Sequence, residues 1–512
     1  MAGLPSSSPP PWCAPRPGTA APTAALAAAS LLLATGCNAL WGLDDLRFRR
    51  TSGGAAAGGQ AGSGGGGGAA GASTGGGGLG GGVAAGEHMW SKRFGDAAAQ
   101  LGWAVGVDGA GSVVVAGDME GATDFGGGAL ASAGANDVFV AKLDKNGGHL
   151  WSKRFGDGSD QWARAVAADG PGNVVLAGQF MGSIDFGAGQ MNAVKDRDIY
   201  VAKLAPDGSA LWSKRFGGSE NDFAYDVAIG AGGAIGIAGT SDGDVDLGGQ
   251  VLPKAGDNDV LVIKLDPDGK VLWGRRFGDA KEQKAFRLAI DVAGSLVVTG
   301  YLMGAADFGG GWRTSAGGND AFVVKLTADG DHVWSQRFGD AADQIGCGVA
   351  VDAPGNVYLV GDFQGTIDLG GGPLTSAGDA DVFVAKLNPG GEHLWSMRAG
   401  GPAAQHAARV AVGADGSAVV TGCFGGRLEV AGHKIESAGD VDGFLLRLGP
   451  DGSLLGLVGF GDSAAQEGNG LALDANNGDL LLAGDFAGSV DLGGGPLTSA
   501  GATDVLLARL RP

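Results

Sequence analysis

The chain has 512 residues and a formal net charge of -20, from 35 Lys and Arg against 55 Asp and Glu. This acidity repels phosphate backbones and anionic lipid headgroups, so neither nucleic acid nor an anionic membrane surface is expected as a partner. Glycine accounts for 104 residues, and the four cysteines are too few for a disulfide framework in a chain of this size.

The N terminus is predicted to be a signal peptide of the lipoprotein type, over residues 1–36. Residues 24–34 form an apolar run that is too short to span a bilayer and has the length of a signal-peptide core. A Thr-Gly pair then leads into Cys37, an arrangement that resembles a bacterial lipobox, in which the cysteine is acylated and the leader removed. The alternative is an ordinary secretion signal cleaved near Cys37. We expect an extracytoplasmic, lipid-anchored protein at the outer membrane or cell surface or, on the alternative, a secreted one.

Two segments separate this leader from the rest of the chain. Residues 37–50 carry apolar side chains among charges and are predicted to be a short tether. Residues 51–86 are almost entirely Gly, Ala and Ser, and such a segment buries too little apolar surface to offset the entropy of ordering it. They are predicted to form a disordered linker.

From residue 87 onward the chain repeats one unit seven times. Tryptophans recur every 61 residues, and the same step from the last of them reaches Gly456, where a seventh copy begins. The tryptophans are Trp90, Trp151, Trp212, Trp273, Trp334 and Trp395. Self-similarity at a fixed period marks stacked supersecondary units that share a continuous core. Residues 87–512 are therefore predicted to be a single domain.

Each copy contains four short runs of β-branched and aromatic residues, named a, b, c and d in chain order. In the fifth copy they are residues 348–352, 356–361, 381–387 and 392–398. Tight Pro, Gly, Asp and Asn turns join a to b and c to d, which predicts two hairpins. The runs are apolar on both sides and need cover on both faces, as neighbouring blades of a closed ring provide. The predicted fold is all-β, a single seven-bladed β-propeller with four-stranded blades of 61 residues.

The ring is predicted to close through the N-terminal strand. A d-type run at residues 88–94 precedes the first a run, whereas the last copy ends with its c run at residues 504–510. The N-terminal strand is thus expected to complete the last blade and to cover an edge that would otherwise favour aggregation.

The repeated motifs W-S-K-R-F-G-D, V-A-V-D-x-x-G-N-V-x-L-x-G and D-V-F-V-A-K-L resemble those of the bacterial seven-bladed β-propeller repeat (SBBP) family, over residues 88–512. The resemblance implies an extracytoplasmic bacterial protein, often surface-associated, in a family that mostly has no assigned activity.

Residues that recur in every copy are interpreted as architecture, because a ligand site needs few residues on one molecule. One series is basic and lies in run c: Lys142, Lys203, Lys264, Lys325, Lys386, Arg447 and Arg509. Another is the Asp that begins run c: Asp137, Asp198, Asp259, Asp320, Asp381, Asp442 and Asp504. Both series are predicted to pair blades or anchor loops, and the tryptophans to pack between blades.

The sequence offers no catalytic motif. Neither a nucleophile elbow nor a zinc spacing is present, and four histidines recur at one position of separate blades, where they cannot converge on a metal: His88, His149, His332 and His393. No catalytic residue, metal or cofactor is predicted. Cys347 and Cys423 are interpreted as buried thiols, with a bridge or a reactive cysteine as the alternative.

A binding site is expected on the face where the b–c and d–a connections meet, because both are predicted to be long. Two groups of side chains are candidates on this face. The first is a ring of amides before run a, with an Asp in the third copy: Gln100, Gln161, Asp222, Gln283, Gln344, Gln405 and Gln466. The second offers aromatics and acids suited to sugars or peptides: Asp118, Phe180, Tyr301, Trp312, Phe363 and Phe486. The amides bind a polar ligand such as a glycan on one interpretation and hydrogen-bond the loops on the other.

The resulting hypothesis is a monomeric, surface-anchored lipoprotein whose propeller binds a protein or polysaccharide partner without catalysis. Membrane contact is expected through the lipid anchor only. One alternative is an extracytoplasmic hydrolase, lyase or quinoprotein-like enzyme that uses the channel mouth. The other is a purely structural component of the envelope.

Overall fold

Seven four-stranded antiparallel sheets make up residues 86–512, the part of the chain that the computed structural model describes. In the first sheet the strands follow one another in chain order, Gln100–Val107, Val113–Met119, Asp137–Leu143 and His149–Phe155. The prediction of an all-β, seven-bladed propeller is confirmed. The predicted signal peptide and tether, with Cys37, lie outside the described residues, as does nearly all of the predicted linker.

The strands are named by their place in the blade, from the channel outward. The a strands are Gln100–Val107, Gln161–Ala168, Asp222–Ile229, Gln283–Ile290, Gln344–Val351, Gln405–Val412 and Gln466–Leu473. The b strands are Val113–Met119, Val174–Phe180, Ile235–Ser241, Leu296–Leu302, Val357–Phe363, Ala418–Phe424 and Leu480–Phe486. The c strands are Asp137–Leu143, Asp198–Leu204, Asp259–Leu265, Asp320–Leu326, Asp381–Leu387, Asp442–Leu448 and Asp504–Arg511. The d strands of blades 1 to 6 are His149–Phe155, Ala210–Phe216, Val271–Phe277, His332–Phe338, His393–Ala399 and Leu454–Phe460.

Each b–c loop carries a small two-stranded ribbon of its own. The ribbon pairs are Ala122–Asp124 with Ala129–Ala131, Ser183–Ile184 with Met191–Asn192, Val245–Asp246 with Val251–Leu252, Ala305–Asp307 with Trp312–Thr314, Thr366–Asp368 with Pro373–Thr375, Arg427–Val430 with His433–Glu436, and Ser489–Val490 with Leu497–Thr498. A 3-10 turn at Ala231–Gly233 precedes one b strand. Within residues 86–512, no helix is long and apolar enough to cross a membrane.

Strands b and c are buried on both faces because neighbouring blades cover them. Val114 and Val140 of blade 1 share one apolar cluster with Val174, Leu176 and Leu204 of blade 2. The continuous apolar runs of the sequence therefore correspond to strands sandwiched between two adjacent sheets.

The N-terminal strand, Glu87–Phe94, is the d strand of blade 7. It pairs antiparallel with Asp504–Arg511, with Ser91 opposite Ala508 and Phe94 opposite Val505. The Arg93 guanidinium also lies 2.5 Å from the Asp504 carboxylate. The outermost strand of the last blade is thus supplied by the start of the repeat region, as the sequence predicts.

Each tryptophan of strand d docks on the c–d turn of the following blade. Trp212 Nε1 donates a hydrogen bond to the Pro267 carbonyl at 3.1 Å, and its ring faces Gly269, whose φ is +80°. The same bond recurs from Trp90, Trp151, Trp273, Trp334 and Trp395. In blade 6 the position is Gly456, and the blade that follows has no c–d turn because its d strand is the N-terminal one. The tryptophan is therefore missing where its docking partner is missing.

The basic series of strand c links each blade to the next. Lys142 Nζ lies 2.9 Å from Asp108 Oδ2 in its own a–b turn and donates to the Gly172 carbonyl of blade 2 at 2.8 Å. In blade 7, Arg509 donates to the Gly111 carbonyl of blade 1 at 3.0 Å. The predicted inter-blade role is confirmed at these positions.

The aspartates that begin strand c hold the b–c loop. Asp381 Oδ2 accepts a hydrogen bond from the Ala377 backbone N–H and one from Arg398, both at 2.8 Å. In blade 6 the arginine position holds Gly459, and burial raises the pKa of Asp442 to about 6. The loop-anchoring interpretation is confirmed.

The prediction that the b–c and d–a connections are both long is half wrong. The b–c loops are long, as at residues 120–136, but the d–a connection at residues 95–99 is no longer than the a–b turn at residues 108–112. The glycine of the loop motif F-G-D lies against the buried side-chain oxygens of an Asp and a Gln, which leave no space for a Cβ. Glycine is therefore the residue that this tight connection can accommodate. Only the b–c loops therefore enlarge this face, which we call the long-loop face.

Candidate functional site

The central channel is where all seven blades meet. Strand a of every blade contributes to the wall of a cavity of about 160 Å³ at its centre. A pocket that every blade lines is the default place for a ligand in a ring of this kind. The side chains of strand a therefore decide what the channel and its mouth can bind.

Strand a combines repeated and variable positions, counted here from its first residue. Position 1 is Gln or Asp, position 3 is Gly or Ala, and position 6 is Val or Leu in all seven blades. Positions 2, 4 and 5 change from blade to blade. Position 2 holds Leu101, Trp162, Phe223, Lys284, Ile345, His406 and Glu467. Position 4 holds Trp103, Arg164, Tyr225, Phe286, Cys347, Ala408 and Asn469. Position 5 holds Ala104, Ala165, Asp226, Arg287, Gly348, Arg409 and Gly470.

A β-bulge produces this arrangement in every blade. The pairing of strands a and b shifts by one residue between positions 3 and 5, as between Gly102 and Ala104. The residue at position 4 is therefore extra and unpaired in the ladder. Bulges redirect side chains and are common beside functional sites. Here the bulge separates the variable side chains of the mouth from the repeated apolar ones deeper in the channel.

The mouth on blades 1 to 3 is lined by aromatic rings and guanidinium groups. The Arg197 guanidinium lies 4.6 Å from the Trp162 ring centroid and 5.7 Å from that of Phe223. The Arg164 guanidinium lies 4.5 Å from the Trp103 ring. Trp162, Phe223 and Arg197 are all partly exposed. Such aromatic faces with nearby cations suit flat apolar or anionic groups of a partner.

Asp118 of strand b lies beneath this aromatic sector. It accepts a hydrogen bond from Trp103 Nε1 at 2.6 Å and one from the Ala163 N–H of blade 2 at 2.7 Å. Burial raises the pKa of Asp118 to about 7, while the Arg164 guanidinium acts in the opposite direction. The carboxyl therefore changes its charge near neutral pH and joins blades 1 and 2 at the channel wall.

Blades 4 to 7 place ionisable groups around the rest of the mouth. His406 Nδ1 lies 2.8 Å from Asp362 Oδ2. Burial lowers the pKa of His406, but the Asp362 carboxylate outweighs this effect and the net direction is upward. In blade 7, Asn469 donates to Asp485 at 2.6 Å, and burial raises the pKa of Asp485 to about 7. In blades 6 and 7 the mouth thus has the polar side chains His406, Glu467 and Asn469 in place of the aromatic rings of the sector opposite.

An ion pair crosses the channel below the mouth. Arg409 of blade 6 lies 2.9 Å from Asp226 Oδ1 of blade 3, although these blades are not neighbours. Asp226 Oδ2 also accepts a hydrogen bond from the Leu288 N–H at 3.0 Å. Arg287 lies beside this pair and donates to the Phe286 carbonyl at 2.7 Å. The pair forms a charged floor between the mouth and the apolar position 6 side chains.

The predicted amide ring is buried and holds loops together. Gln100 Nε2 donates to Asp96 Oδ1 at 2.8 Å and to the Glu120 carbonyl at 2.7 Å, while its Oε1 accepts from the Asp96 N–H. All members are fully buried, including Gln161, Asp222, Gln283, Gln344, Gln405 and Gln466. Of the two interpretations of these amides, loop hydrogen bonding agrees with the structure, whereas the glycan-binding ring is corrected because the side chains have no exposed surface.

Burial also removes most of the second candidate group from the surface. Phe180, Tyr301, Phe363 and Phe486 have no exposed surface and pack under the loops. Phe180 lies against Tyr200 with ring centroids 6.4 Å apart, and Tyr301 donates a hydrogen bond to Glu282. Trp312 is the exception, because 60% of it is exposed on its ribbon. The ribbon of Trp312 lies against outer strand d, where the neighbouring Arg313 donates to the Ser335 carbonyl at 3.1 Å. Of this group only Asp118 therefore lies at the channel wall.

The signal that identifies the mouth was present in the sequence. Comparing the copies at the 61-residue period along strand a separates variable from repeated positions without any structure. The candidates Phe180, Phe363 and Phe486 instead share one repeated position at the end of strand b. The bulge could not be anticipated, because its effect on side-chain direction depends on backbone pairing.

The recurrent histidines pin the ribbons to strand d. His149 Nε2 lies 3.1 Å from Ser152 Oγ, and its ring packs against Gly127 of the ribbon. Across residues 86–512, no three or more His, Cys, Asp or Glu side chains lie close enough together to hold a metal ion. Cys347 is a buried free thiol, as predicted. Cys423 is buried but disulfide-bonded, so its interpretation as a thiol is wrong and the alternative of a bridge holds there.

Comparisons with known proteins identify relatives of part of the chain but no family. No protein-family model matches the chain. The regulatory protein FlaEY of Caulobacter vibrioides is 27% identical over 295 residues, or 53% of this chain and 30% of that protein. An uncharacterised WD repeat-containing protein of Acanthamoeba polyphaga mimivirus is 20% identical over 445 residues, or 70% of this chain and 32% of that protein. The chain thus matches about a third of the length of these curated relatives.

Solved structures that match the chain include Sqt1 from Chaetomium thermophilum and YCF48 bound to D1 peptide. Sqt1 has a TM-score of 0.41 and 11% identity, with 83% of this chain and 99% of that chain covered. YCF48 has a TM-score of 0.38 and 9% identity, with 83% and 94% covered. The protein is a seven-bladed β-propeller whose neighbours include WD-repeat proteins. The number of blades is established by the strand pairing of this chain, which forms seven four-stranded sheets.

Proposed function

We propose that this propeller is a surface-anchored binding scaffold that holds a protein partner at the channel mouth on its long-loop face. The observation that carries the proposal is the contrast within strand a, where positions 2 and 4 differ in every blade and position 5 also changes, while positions 1, 3 and 6 repeat. Repeated positions are explained by contacts between blades and with loops. The variable positions need a different explanation, and recognition of one asymmetric partner supplies it.

The chemistry of the mouth supports a protein partner. Trp162 and Phe223 offer partly exposed aromatic surface beside the Arg197 guanidinium, and the blades opposite offer His406 and carboxyl groups. Aromatic and arginine side chains dominate the energetics of protein interfaces. A partner segment with apolar and acidic groups facing blades 1 to 3, and basic groups facing blades 5 to 7, matches this distribution.

The test is capture of a partner from cell envelope extract and culture medium by the purified protein, followed by measurement of affinity. Trp162→Ala is expected to weaken binding by roughly 2 kcal/mol or more, which is the loss typical of a central aromatic at an interface. Leu150→Ala is the matched control, because Leu150 is 50% exposed on outer strand d. Equal affinity of the wild type and Trp162→Ala would exclude the mouth as the interface.

The same preparation distinguishes a polysaccharide from a protein. Capture that survives protease treatment of the extract and is lost after glycosidase treatment assigns a polysaccharide ligand. Capture that is lost after protease treatment assigns a protein. In both cases the Trp162→Ala effect reports whether the mouth is used.

Surface anchoring is the second part of the proposal and rests on the lipobox-like sequence at Cys37. Metabolic labelling with a fatty acid is expected to mark the wild-type protein and not Cys37→Ala. Fractionation of the same cells is expected to place only the wild type in the outer membrane. Absence of label on the wild type would leave a secreted protein.

An enzyme that uses the channel mouth is the alternative that one observation favours. Burial raises the pKa of both Asp118 and Asp485 to about 7, and carboxyls that titrate near neutral pH are suited to general acid–base chemistry. Turnover of a panel of glycoside and ester substrates that is abolished in Asp118→Asn would establish this alternative over the binding scaffold.

A further inference from the structure

We propose that Arg197 is the residue at the channel mouth that recognises a carboxylate group of the protein partner. This inference rests on the proposed binding of a protein at the mouth, and it names the chemistry by which that partner is selected. Arg197 does not belong to strand a. It is the last residue of the b–c loop of blade 2, directly before strand c, Asp198–Leu204.

The fold places this loop residue beside strand a of the following blade. The Arg197 carbonyl accepts a hydrogen bond from the Asp222 N–H of blade 3 at 2.8 Å, and the same bond joins every other blade to the one that follows it. The side chain at this position nevertheless changes around the ring: Asn136, Arg197, Asn258, Asn319, Ala380, Val441 and Thr503. A repeated backbone contact thus carries a variable side chain, and blade 2 alone has a cation there.

Two aromatic rings orient the Arg197 guanidinium. It lies 4.6 Å from the ring centroid of Trp162 and 5.7 Å from that of Phe223, which occupy position 2 of blades 2 and 3. Phe223 in turn stacks on Tyr225, with ring centroids 5.9 Å apart and an angle of 3° between the planes. A guanidinium on aromatic faces keeps the N–H groups at its edge available for hydrogen bonds. Its orientation before binding lowers the entropy cost of recognising a partner.

The N–H donors of Arg197 have no acceptor within residues 86–512. Arg197 is partly exposed, forms no ion pair there and donates no side-chain hydrogen bond. The neighbouring acids Asp196 and Glu220 each lie 3.9 Å from Lys195 instead. By contrast, Arg215 on outer strand d lies 2.6 Å from the aspartate that begins strand c. An oriented cationic donor without an acceptor of its own is suited to an acceptor from another molecule.

A carboxylate is the acceptor that fits this group. The parallel N–H donors of a guanidinium match the two oxygens of a carboxylate. A phosphate group carries about two negative charges near neutral pH, whereas a single guanidinium balances one carboxylate. The chain has a net charge of -20, so its overall field repels an acidic ligand. A preference for an acidic ligand over a neutral one therefore has to come from a local contact.

The test measures how tightly the full chain binds fluorescently labelled peptides of alternating Glu and Phe, with both ends blocked, and matched peptides in which Gln replaces Glu. The wild type is expected to bind the Glu peptide more tightly by roughly 10- to 100-fold, the range of one charge-assisted hydrogen-bonded contact. Arg197→Met is expected to abolish this difference, because the donors of the carboxylate contact are lost.

A Gln peptide with a free C-terminal carboxylate distinguishes the two sources of the group. Tight binding of this peptide that depends on Arg197 assigns a carboxylate at the end of a chain. Binding as weak as that of the blocked Gln peptide assigns a carboxylate of an acidic side chain.

Arg275→Met is the matched control, because it removes the same charge from an arginine that also lies over an indole. The Arg275 guanidinium lies 5.5 Å from the Trp273 ring on outer strand d and donates to the Asp329 carbonyl at 3.4 Å. The control is expected to keep the difference between the Glu and Gln peptides. Equal affinity of the wild type for both peptides, no binding of either, or loss of the difference in Arg275→Met as well as in Arg197→Met would overturn the proposal.

The captured protein partner separates this inference from the proposed function. If Trp162→Ala weakens its binding and Arg197→Met does not, the mouth is the interface and the carboxylate contact alone is wrong. If neither change alters its affinity, the mouth itself is excluded as the interface.

Discussion

The outermost and innermost strands of each blade differ in how closely they repeat. Strand d carries the same tryptophan in six blades, and even its solvent-exposed residue before that tryptophan is apolar in all seven, as at Leu150 and Leu272. Strand a, at the channel, changes three of its eight residues from blade to blade. Residues therefore repeat where every blade makes the same contacts. They vary at the channel, where strand a of all seven blades together forms one asymmetric surface.

The missing tryptophan of blade 6 strengthens this comparison. Gly456 occupies the position where the following blade has no c–d turn. Similarly, Asp442 lacks the arginine found in the other blades because Gly459 replaces it. These exceptions have local structural explanations, whereas the differences along strand a accumulate in one place, around the channel mouth.

The largest effect is expected where the ring closes. Phe94→Ala in the N-terminal strand should destabilise the protein by roughly 3–5 kcal/mol, as removal of a buried phenylalanine typically does. Phe94 packs on Phe125 with ring centroids 4.8 Å apart, and Phe155 occupies the same position in blade 1, 4.6 Å from Phe186. Phe155→Ala is thus the matched control in denaturant unfolding. If Phe94→Ala leaves the free energy of unfolding almost unchanged while Phe155→Ala lowers it by the expected amount, the N-terminal strand is not docked.

A pH-dependent effect of similar size is expected at Asp118. Its pKa of about 7 in the folded protein exceeds the ordinary value of 3.8, so the folded state retains a proton that the unfolded state has lost. The free energy of unfolding should therefore fall as pH rises from about 4 to about 7, by roughly 4 kcal/mol at 1.4 kcal/mol per pKa unit. Asp118→Asn cannot titrate and should remove that part of the decline.

Asp108→Asn is the control for this pH series. Burial raises the pKa of Asp108, but hydrogen bonds and the Lys142 charge outweigh it and lower the pKa below its ordinary 3.8. Its contribution is present above that value and is lost only at more acidic pH. The slope between pH 4 and pH 7 should therefore match the wild type in Asp108→Asn. An unchanged slope in Asp118→Asn would contradict the raised pKa.

A smaller effect is expected at the turns where tryptophans dock. Gly269 and Gly232 both have φ near +80°, but a Cβ at Gly269 would lie 2.8 Å from the Trp212 ring, whereas Gly232 has nothing within 4 Å. Gly232→Ala should cost about 1 kcal/mol from backbone strain alone. Gly269→Ala should cost more, because the indole must move. Equal costs in denaturant unfolding would argue against docking of Trp212 on this turn.

Much of the fold can be predicted from the sequence because residues that recur at the 61-residue period make the same contacts in successive blades. The 61-residue period, the offset of the d strands and the Trp, Lys and Asp series each correspond to an observed pairing or hydrogen bond. The site was predicted less well. For Gln100 the sequence left ligand binding and loop hydrogen bonding open, and Phe180 was a candidate for the binding face because it adjoins a loop. Both side chains are buried in the structure. Whether a residue next to a loop is buried depends on how that loop packs over it. The spacing of the repeat carries no information about that packing.

The central claim is that variable positions of strand a carry recognition while repeated positions carry architecture. An exchange between blades tests it most directly. Trp162→His with Arg164→Ala gives blade 2 the residues of blade 6 at positions 2 and 4, and replacement of strand d of blade 2, Ala210–Phe216, by that of blade 4, His332–Phe338, is the control exchange. Affinity for the captured partner should fall in the first exchange and remain in the second, with both proteins folded. Retained affinity in the first exchange, or loss only in the second, would contradict the account.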